Sequence, residues 1–252
     1  MARRRPEDYY AQRATVEEYL AFHFPASDPL RPLLGPRTPP WMERYPKAVR
    51  PLWAPHPRGR ALDIGCAVGG VTFDLALDFG SAIGLDRSAP LVREAVGVRG
   101  SGRARYRAVV EGEIVGECDV PVVAPSNARF VVGDALALPF RDGTFALALA
   151  LNLVDRVPDP GRALDEAGRV VAQGGRLIVA SPFTWTETCA PKERWLGGLL
   201  RDGEPVRGAV AIREHLAPRF AWEREEEVCF FLPHHARSGQ LGSVSIQIFR
   251  RL

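Results

Sequence analysis

The chain has 252 residues, 46% of them hydrophobic and 25% charged, a globular balance that excludes disordered and fibrous classes and fits one α/β domain with short additions. Its 33 basic and 30 acidic residues leave a formal net charge of +3, too even to argue for a nucleic-acid partner, and Arg3-Arg4-Arg5 reads as solvated terminal charge. No apolar stretch approaches the roughly 18 residues of a membrane span, and no apolar run follows the basic start, so no membrane partner and no secretory leader are expected, and the expected location is cytoplasmic. Cys66, Cys118, Cys189 and Cys229 are scattered without a C-x-x-C pair, so neither a metal site nor a disulfide framework is expected.

Residues 1–24 read as a helical arm, with Tyr9, Tyr10, Val16, Tyr19, Leu20 and Phe22 on one face. Residues 25–58 are rich in proline and read as a surface wrap with a short helix around 41–49. Residues 1–58 thus form an N-terminal arm and wrap, and 59–252 a ligand-binding domain. In that domain strand-like runs at 60–64, 82–86, 129–132, 145–151 and 176–180 alternate with helical stretches at 71–79, 89–96 and 161–171, the last stopped by Gly174-Gly175. This alternation predicts an α/β fold with a mostly parallel sheet and helices on both faces. A hairpin insertion is expected at 104–123, and the alternating runs at 222–231 and 243–250 predict an antiparallel strand pair at one sheet edge.

The segment Asp63-Ile64-Gly65-Cys66-Ala67-Val68-Gly69-Gly70 carries the ligand argument. A strand delivers the chain to a turn in which Gly65 frees the backbone and admits a ligand against it, while Gly69 and Gly70 let the next helix pack close to the sheet. The pattern is D-x-G-x-x-x-G. An acid at this strand end repels the pyrophosphate of a dinucleotide and suits a cation, such as the ammonium of a methionine moiety, which favours S-adenosylmethionine over NAD. Asp86, with Arg87 beside it, closes the second strand and can accept hydrogen bonds from ribose hydroxyls, although a strand-end cap explains it equally well. Asp134, in Gly133-Asp134-Ala135, ends the third core strand within reach of an adenine amino group.

This constellation resembles the class I S-adenosylmethionine-dependent methyltransferases, a Rossmann-like fold. The resemblance implies that Asp63, Gly65 and Gly69 line the methionine part, Asp86 the ribose, and Asp134 with Ala135 the adenine, with Cys66, Ala67, Arg87 and Asn152 also expected at the cofactor site. S-adenosylhomocysteine would be the product. Asn152, at the end of the apolar strand 145–151, then faces the transferred methyl group, and a turn cap is its bland alternative. The loop holding Trp185, Lys192, Arg194 and Trp195 offers stacking faces and carboxylate donors.

A narrower resemblance runs from residue 9 to 250. It is carried by Tyr9-Tyr10, Glu18-Tyr19-Leu20-Ala21-Phe22-His23, Cys66-Ala67-Val68-Gly69, Asn152-Leu153, Ser181-Pro182-Phe183-Thr184-Trp185, Pro191-Lys192-Glu193-Arg194-Trp195-Leu196-Gly197-Gly198 and Pro233-His234-His235-Ala236-Arg237. The chain is similar here to the 4-mercaptohistidine (5-thiohistidine) N-methyltransferases of ovothiol biosynthesis. That resemblance implies methylation of the imidazole π-nitrogen of a small amino acid. Lys192, Arg194 and Arg237 are candidates for its carboxylate, and Trp185 and Trp195 for its ring. His234 or His235 could set the tautomer or accept a proton, an ordinary surface or core histidine being the competing role; Asn152 could hydrogen-bond the acceptor or the donor's amino group; and Tyr9 and Tyr10 could close the site, with packing the competing role for the aromatics. Selenohistidine, histidine or another small heterocycle would fit the same pocket. An RNA substrate, a non-catalytic binder and an NAD oxidoreductase are weaker alternatives, since there is no basic aromatic face and Asp63 opposes phosphate.

Overall fold

The structure, a computed structural model, describes residues 10, 12–26, 45–53, 59–235 and 237–252. Tyr9, Ala236 and most of the proline-rich stretch lie outside them. The N-terminal part contributes helix α1 (Arg13–His23) and the single-turn α2 (Tyr45–Val49). Then follow β1 (Arg60–Ile64), α3 (Gly70–Asp78), β2 (Ser81–Asp86), α4 (Ala89–Ser101), the hairpin β3 (Arg103–Glu111) and β4 (Ile114–Pro121), β5 (Ala128–Val132), β6 (Phe145–Leu151), α5 (Pro160–Val170) and β7 (Val171–Ser181). A short hairpin, β8 (Leu199–Arg201) and β9 (Glu204–Val206), precedes α6 (Gly208–Leu216) and the long pair β10 (Phe220–His235) and β11 (Ser238–Arg251).

Seven strands form the main sheet in the order β10-β11-β7-β6-β1-β2-β5. The five from β7 to β5 are parallel, while β11 runs antiparallel to β7 and β10 antiparallel to β11. The expected architecture is therefore the observed one, and the insertion forms its own two-stranded sheet. Alternate residues of each strand feed two cores. Leu147, Leu149, Ile178 and Ile246 join one with α1, α2 and α3, and Ala148, Leu177, Val179 and Phe249 join the other with α5 and α6. That two-sided burial explains why 145–151 is continuously apolar.

Local chemistry sets the helix ends. Ser88 and Asp159 cap α4 and α5 by accepting from Leu91 N and Arg162 N, each with proline in the first turn, and Gly102 closes α4 at φ +66°. The expectation that Gly174-Gly175 stops the helix needs correction. The helix ends at Val170, and both glycines lie inside β7. Gly174 takes φ +74°, and a Cβ on Gly175 would stand 2.8 Å from the carbonyls of Ala146 and Ala172. The glycines thus permit a local irregularity against β6, where the register shifts between Phe145 and Leu147.

Candidate active site

β1 and β6 are neighbours at the centre of the sheet and end side by side. The chain order of the strands reverses here, so a crevice forms above their carboxyl ends. Asp63 stands in this floor, 2% exposed, with its Oδ2 accepting from Thr72 Oγ1 at 2.7 Å. Burial pushes its carboxyl up to about 7, the Thr72 hydroxyl partly opposes that, and the nearby Asp86 adds to it. Two acids in one crevice with no cation against Asp63 among the described residues call for a positively charged partner.

The turn after β1 is pinned to β2. Gly65 N and Cys66 N both donate to Leu85 O, Gly65 has φ +80° and Ala67 φ +47°. Asp86 holds the turn from the other side, its Oδ2 accepting from Ala67 N at 2.9 Å and its Oδ1 from Ser88 N at 2.8 Å. Burial raises the pKa of Asp86 against the N–H groups of Ser88, Ala67 and Arg87. The strand-end cap weighed from the sequence is thus realised, and each oxygen retains a further lone pair for a ligand hydroxyl. Arg87 is exposed past the strand end. Cys66 is 2% exposed, with Sγ near Ala67 O and turned towards Gly84 of β2, where a Cβ would meet it at 2.9 Å, so its side chain is directed inward. Gly69 packs against Phe130 of β5, whereas Gly70 leaves room for the arm instead of the sheet: a Cβ there would come within 2.6 Å of His23 Nδ1. That ring nitrogen accepts from Gly70 N at 3.1 Å. At the end of β5, Asp134 is exposed and folds back on Leu136 N through Oδ1, beside buried Ala135.

Asn152 follows β6 in the left-handed region, φ +53°, its N donating to Ala180 O. Non-glycine residues take that conformation rarely, and asparagine most readily. Its buried Oδ1 has no hydrogen-bond partner among the described residues, and neither does the hydroxyl of Tyr45, a residue 5% exposed on α2. Burial raises the Tyr45 pKa strongly, with Asn152 lowering and Asp63 raising it, so all three groups share one neighbourhood. A buried polar atom without a partner is costly. Two of them beside a buried carboxylate mark the place of a polar ligand group.

The arm closes this region. The Tyr10 carbonyl accepts from Ser88 Oγ at 3.0 Å, and burial raises the Tyr10 hydroxyl pKa while Arg156 lowers it. Arg156 also pairs with Asp155 at 3.6 Å and lies near Cys189. Asp155 in turn accepts from Ser181 Oγ and Thr184 N, fixing the loop after β7. Phe22 stacks on Tyr45, with Phe230 of β10 edge-on to both.

Other expected residues are placed differently. Trp185 and Trp195 stack on each other with ring centroids 6.4 Å apart; Trp195 Nε1 donates to Ala190 O, and Trp185 Nε1 is buried without a hydrogen-bond partner among the described residues. Arg194 is tied to Asp159 at 2.9 Å, and Lys192 is exposed on the same loop. His234 and Arg237 are exposed at the β10–β11 turn, where Arg237 comes within 4.0 Å of Glu111 on the insertion. Neither belongs to the buried floor around Asn152. Sequence reasoning assigned no role to Tyr45, Thr72, His23 or Arg156. Only Arg156, one turn beyond Asn152, carried a signal, while Tyr45 sat in a proline-rich stretch without a motif. Among the described residues no group of three or more His, Cys, Asp or Glu side chains is placed to hold a metal ion, and no helix is long and apolar enough to cross a membrane.

Residues 62–179 match the family described as a methyltransferase domain. The chain is similar to the ubiquinone/menaquinone biosynthesis C-methyltransferase UbiE of Ruegeria sp. (strain TM1040), 34% identical over 128 residues that make up 50% of this chain and 43% of that protein. It is also similar to norajmaline N-methyltransferase of Rauvolfia serpentina, 32% identical over 121 residues, 48% of this chain and 35% of that one. The chain therefore spans less than half the length of these curated relatives. Among solved structures, the YcgJ protein of Bacillus subtilis matches with TM-score 0.54 and 16% identity, covering 82% of this chain and 96% of that one. The [4+2]-cyclase SpnF matches with TM-score 0.54 and 19% identity, covering 81% and 79%. These structures share the fold. Residues 62–179 are thus similar to a methyltransferase domain, and they are carried on the α/β sheet architecture that the chain shares with these solved structures.

Proposed function

We propose that this protein transfers the methyl group of S-adenosylmethionine to a small amino acid, and that the acceptor atom is the imidazole π-nitrogen of 5-thiohistidine. The observation that carries methyl-donor binding is the buried, unpartnered pair of Tyr45 Oη and Asn152 Oδ1 beside Asp63. Oxygen acceptors on three neighbouring residues suit a methionine-type ammonium, which has three N–H bonds to donate. Asp63, the turn at Gly65–Gly69, Asp86 and Asp134 would hold the donor's methionine, ribose and adenine parts. When bound, the donor supplies a sulfonium-activated methyl group.

The protein's own task is then placement. An imidazole nitrogen already bears a lone pair, so the site has to present the correct tautomer in line with the methyl carbon and keep water out. Asn152, directly after β6 with its side-chain oxygen buried, suits the orienting role. The arm, with Tyr10 over Ser88 and Phe22 against Tyr45, suits exclusion of water. Arg156, near Tyr10, is a cation suited to a thiolate or carboxylate. The thiohistidine acceptor itself is supported by the sequence resemblance along the chain, from the arm aromatics to the Trp-Leu-Gly-Gly segment.

The test is mass spectrometry of purified protein with S-adenosylmethionine and 5-thiohistidine, with histidine as control. A product one methyl heavier, formed from the thiolated substrate and not from histidine, is the expected result. No product, with donor binding retained by calorimetry, overturns the thiohistidine assignment and leaves selenohistidine as the next acceptor.

A further inference from the structure

The turn that follows β6 brings a cation to the strand ends. Arg156 N donates to Leu153 O at 2.8 Å, and Leu153 rests on the turn after β1: a Cβ on Gly65 would stand 3.1 Å from Leu153 Cδ1. Val154 and Val157 are buried on either side, while the Arg156 side chain keeps 38% exposure. Asp155 beside it has none. Its carboxylate accepts from Ser181 Oγ at 3.1 Å and Thr184 N at 3.2 Å, which ties the turn to the loop after β7. Arg156 Nε stands 3.6 Å from Asp155 Oδ2, close enough for attraction and too far for a hydrogen bond. The buried carboxylate thus directs the guanidinium without consuming its five N–H bonds. Among the described residues no second carboxylate lies within 4.0 Å of Arg156.

A residue of the arm joins this cation to the crevice. The Tyr10 carbonyl accepts from Ser88 Oγ at 3.0 Å, and Ser88 N donates to Asp86 Oδ1 at 2.8 Å, so the Tyr10 backbone is anchored at the end of β2. The Tyr10 hydroxyl lies near Arg156, where with Asp155 and the Cys189 thiol it sustains the guanidinium charge against partial burial. β2 and β6 flank β1, so Tyr10 crosses the end of β1, where Asp63 and Gly65 lie. The cations expected from the sequence for an acceptor are placed elsewhere: Arg194 is tied to Asp159, and Arg237 stands at the β10–β11 turn beside Glu111.

We propose that Arg156, directed by the buried Asp155 and covered by Tyr10, selects an acceptor that carries an anionic group. The proposal rests on the reading of this crevice as the methyl-transfer site. It adds a chemical class, since a thiolate and a carboxylate present the same charge to a guanidinium. It also adds an orientation. The crevice floor is acidic at Asp63 and Asp86, so an anion is repelled there and held at Arg156. The acceptor's anionic group is thereby turned away from the floor, and its neutral nucleophilic atom is left to face the donor.

The full chain with saturating S-adenosylhomocysteine is titrated by calorimetry with four ligands. These are 5-thiohistidine, 5-thiohistamine with the thiolate alone, L-histidine with the carboxylate alone, and histamine with neither. Arg156→Gln removes the charge and keeps much of the packing, Arg156→Lys keeps the charge, and Arg105→Ala removes an exposed arginine of β3 that pairs with Asp119 at 3.4 Å. Arg156→Gln should weaken 5-thiohistidine roughly tenfold or more relative to histamine, with partial recovery in Arg156→Lys and no change in Arg105→Ala. A loss shared with L-histidine assigns the carboxylate to Arg156, and a loss shared with 5-thiohistamine assigns the thiolate. Equal weakening of histamine and 5-thiohistidine makes Arg156 a packing residue and overturns the proposal, as does an unchanged 5-thiohistidine affinity or no anionic ligand bound by the wild type. Turnover is measured in parallel. Methylation of 5-thiohistidine with a KM indifferent to Arg156→Gln removes this role and keeps the reaction. Arg156-dependent binding without methylation keeps the role and removes the thiohistidine reaction.

Discussion

Asp63 sets the expected pH dependence of donor binding. With its carboxyl pushed up to about 7 by burial, the ligand-free site is increasingly protonated below that pH. A bound ammonium favours the carboxylate, so binding expels a proton in that range. Affinity for S-adenosylmethionine should therefore rise by up to about tenfold per unit on the acid side of pH 7 and level off above it. Calorimetry from about pH 6 to about pH 8 checks this, and Asp63→Asn should flatten the profile as well as lower affinity. The same group works against the empty fold. Its folded pKa lies well above the ordinary carboxyl value of 3.8, so the stability it contributes is complete below that value and is lost as pH rises through about 7. Tyr45→Phe separates ligand from fold by sign. Removing a buried hydroxyl without a partner should leave the empty protein as stable or raise unfolding free energy by about 1 kcal/mol, while donor affinity falls about tenfold. Loss of both together, in urea unfolding and calorimetry, would make Tyr45 a packing residue.

At the scale of elements, the arm is a built part of the site. His23 on α1 accepts from the first N–H of α3, so His23→Ala removes the acceptor of a buried donor at a helix start. The expected cost is about 1–3 kcal/mol in urea unfolding, with weaker donor binding because α1 and α2 carry Tyr10's neighbours and Tyr45. This contact was illegible in the sequence: a histidine at the end of an apolar helix face says nothing of a partner 47 positions away. The β–α alternation, the apolar strand 145–151 and the turn after β1 were legible because they are local patterns of period and glycine placement. The extent of the C-terminal pair was not. β10 and β11 reach from Phe220 to Arg251, beyond the alternating runs, because Pro233 and His235 are tolerated at the irregular outer end of the pair. Asp86 shows the same limit within the site. Its position at a strand end was readable, and so was a local bond such as that from Ser88 N, while its bond from Ala67 N depends on a turn from another strand. Asp86→Ala should consequently disorder that turn and weaken donor binding together.

For the whole molecule, the question is whether residues 1–58 form a detachable lid or part of the fold. The described arm residues Val16, Leu20, Phe24, Tyr45, Val49, Leu52 and Trp53 belong to the same buried cluster as Val68, Val71, Phe73 and Ile246 of the sheet layer. Trp53 Nε1 and the Arg50 guanidinium both bond Asp78 at the end of α3, and Arg224 of β10 donates to Leu52 O. Arg107 of the insertion and Arg13 meet on Glu17. Seven large apolar side chains at roughly 1.5–3 kcal/mol each exceed the net stability of an ordinary domain. A chain beginning at residue 59 should accordingly expose one face of α3 and lose cooperative unfolding in calorimetry, even with S-adenosylhomocysteine in excess. A truncated protein that still melts in one sharp transition, and still binds donor, would make the arm a lid hinged on a self-sufficient sheet. Donor affinity would then be set by the strand-end acids alone, and Tyr45 would have no part in it.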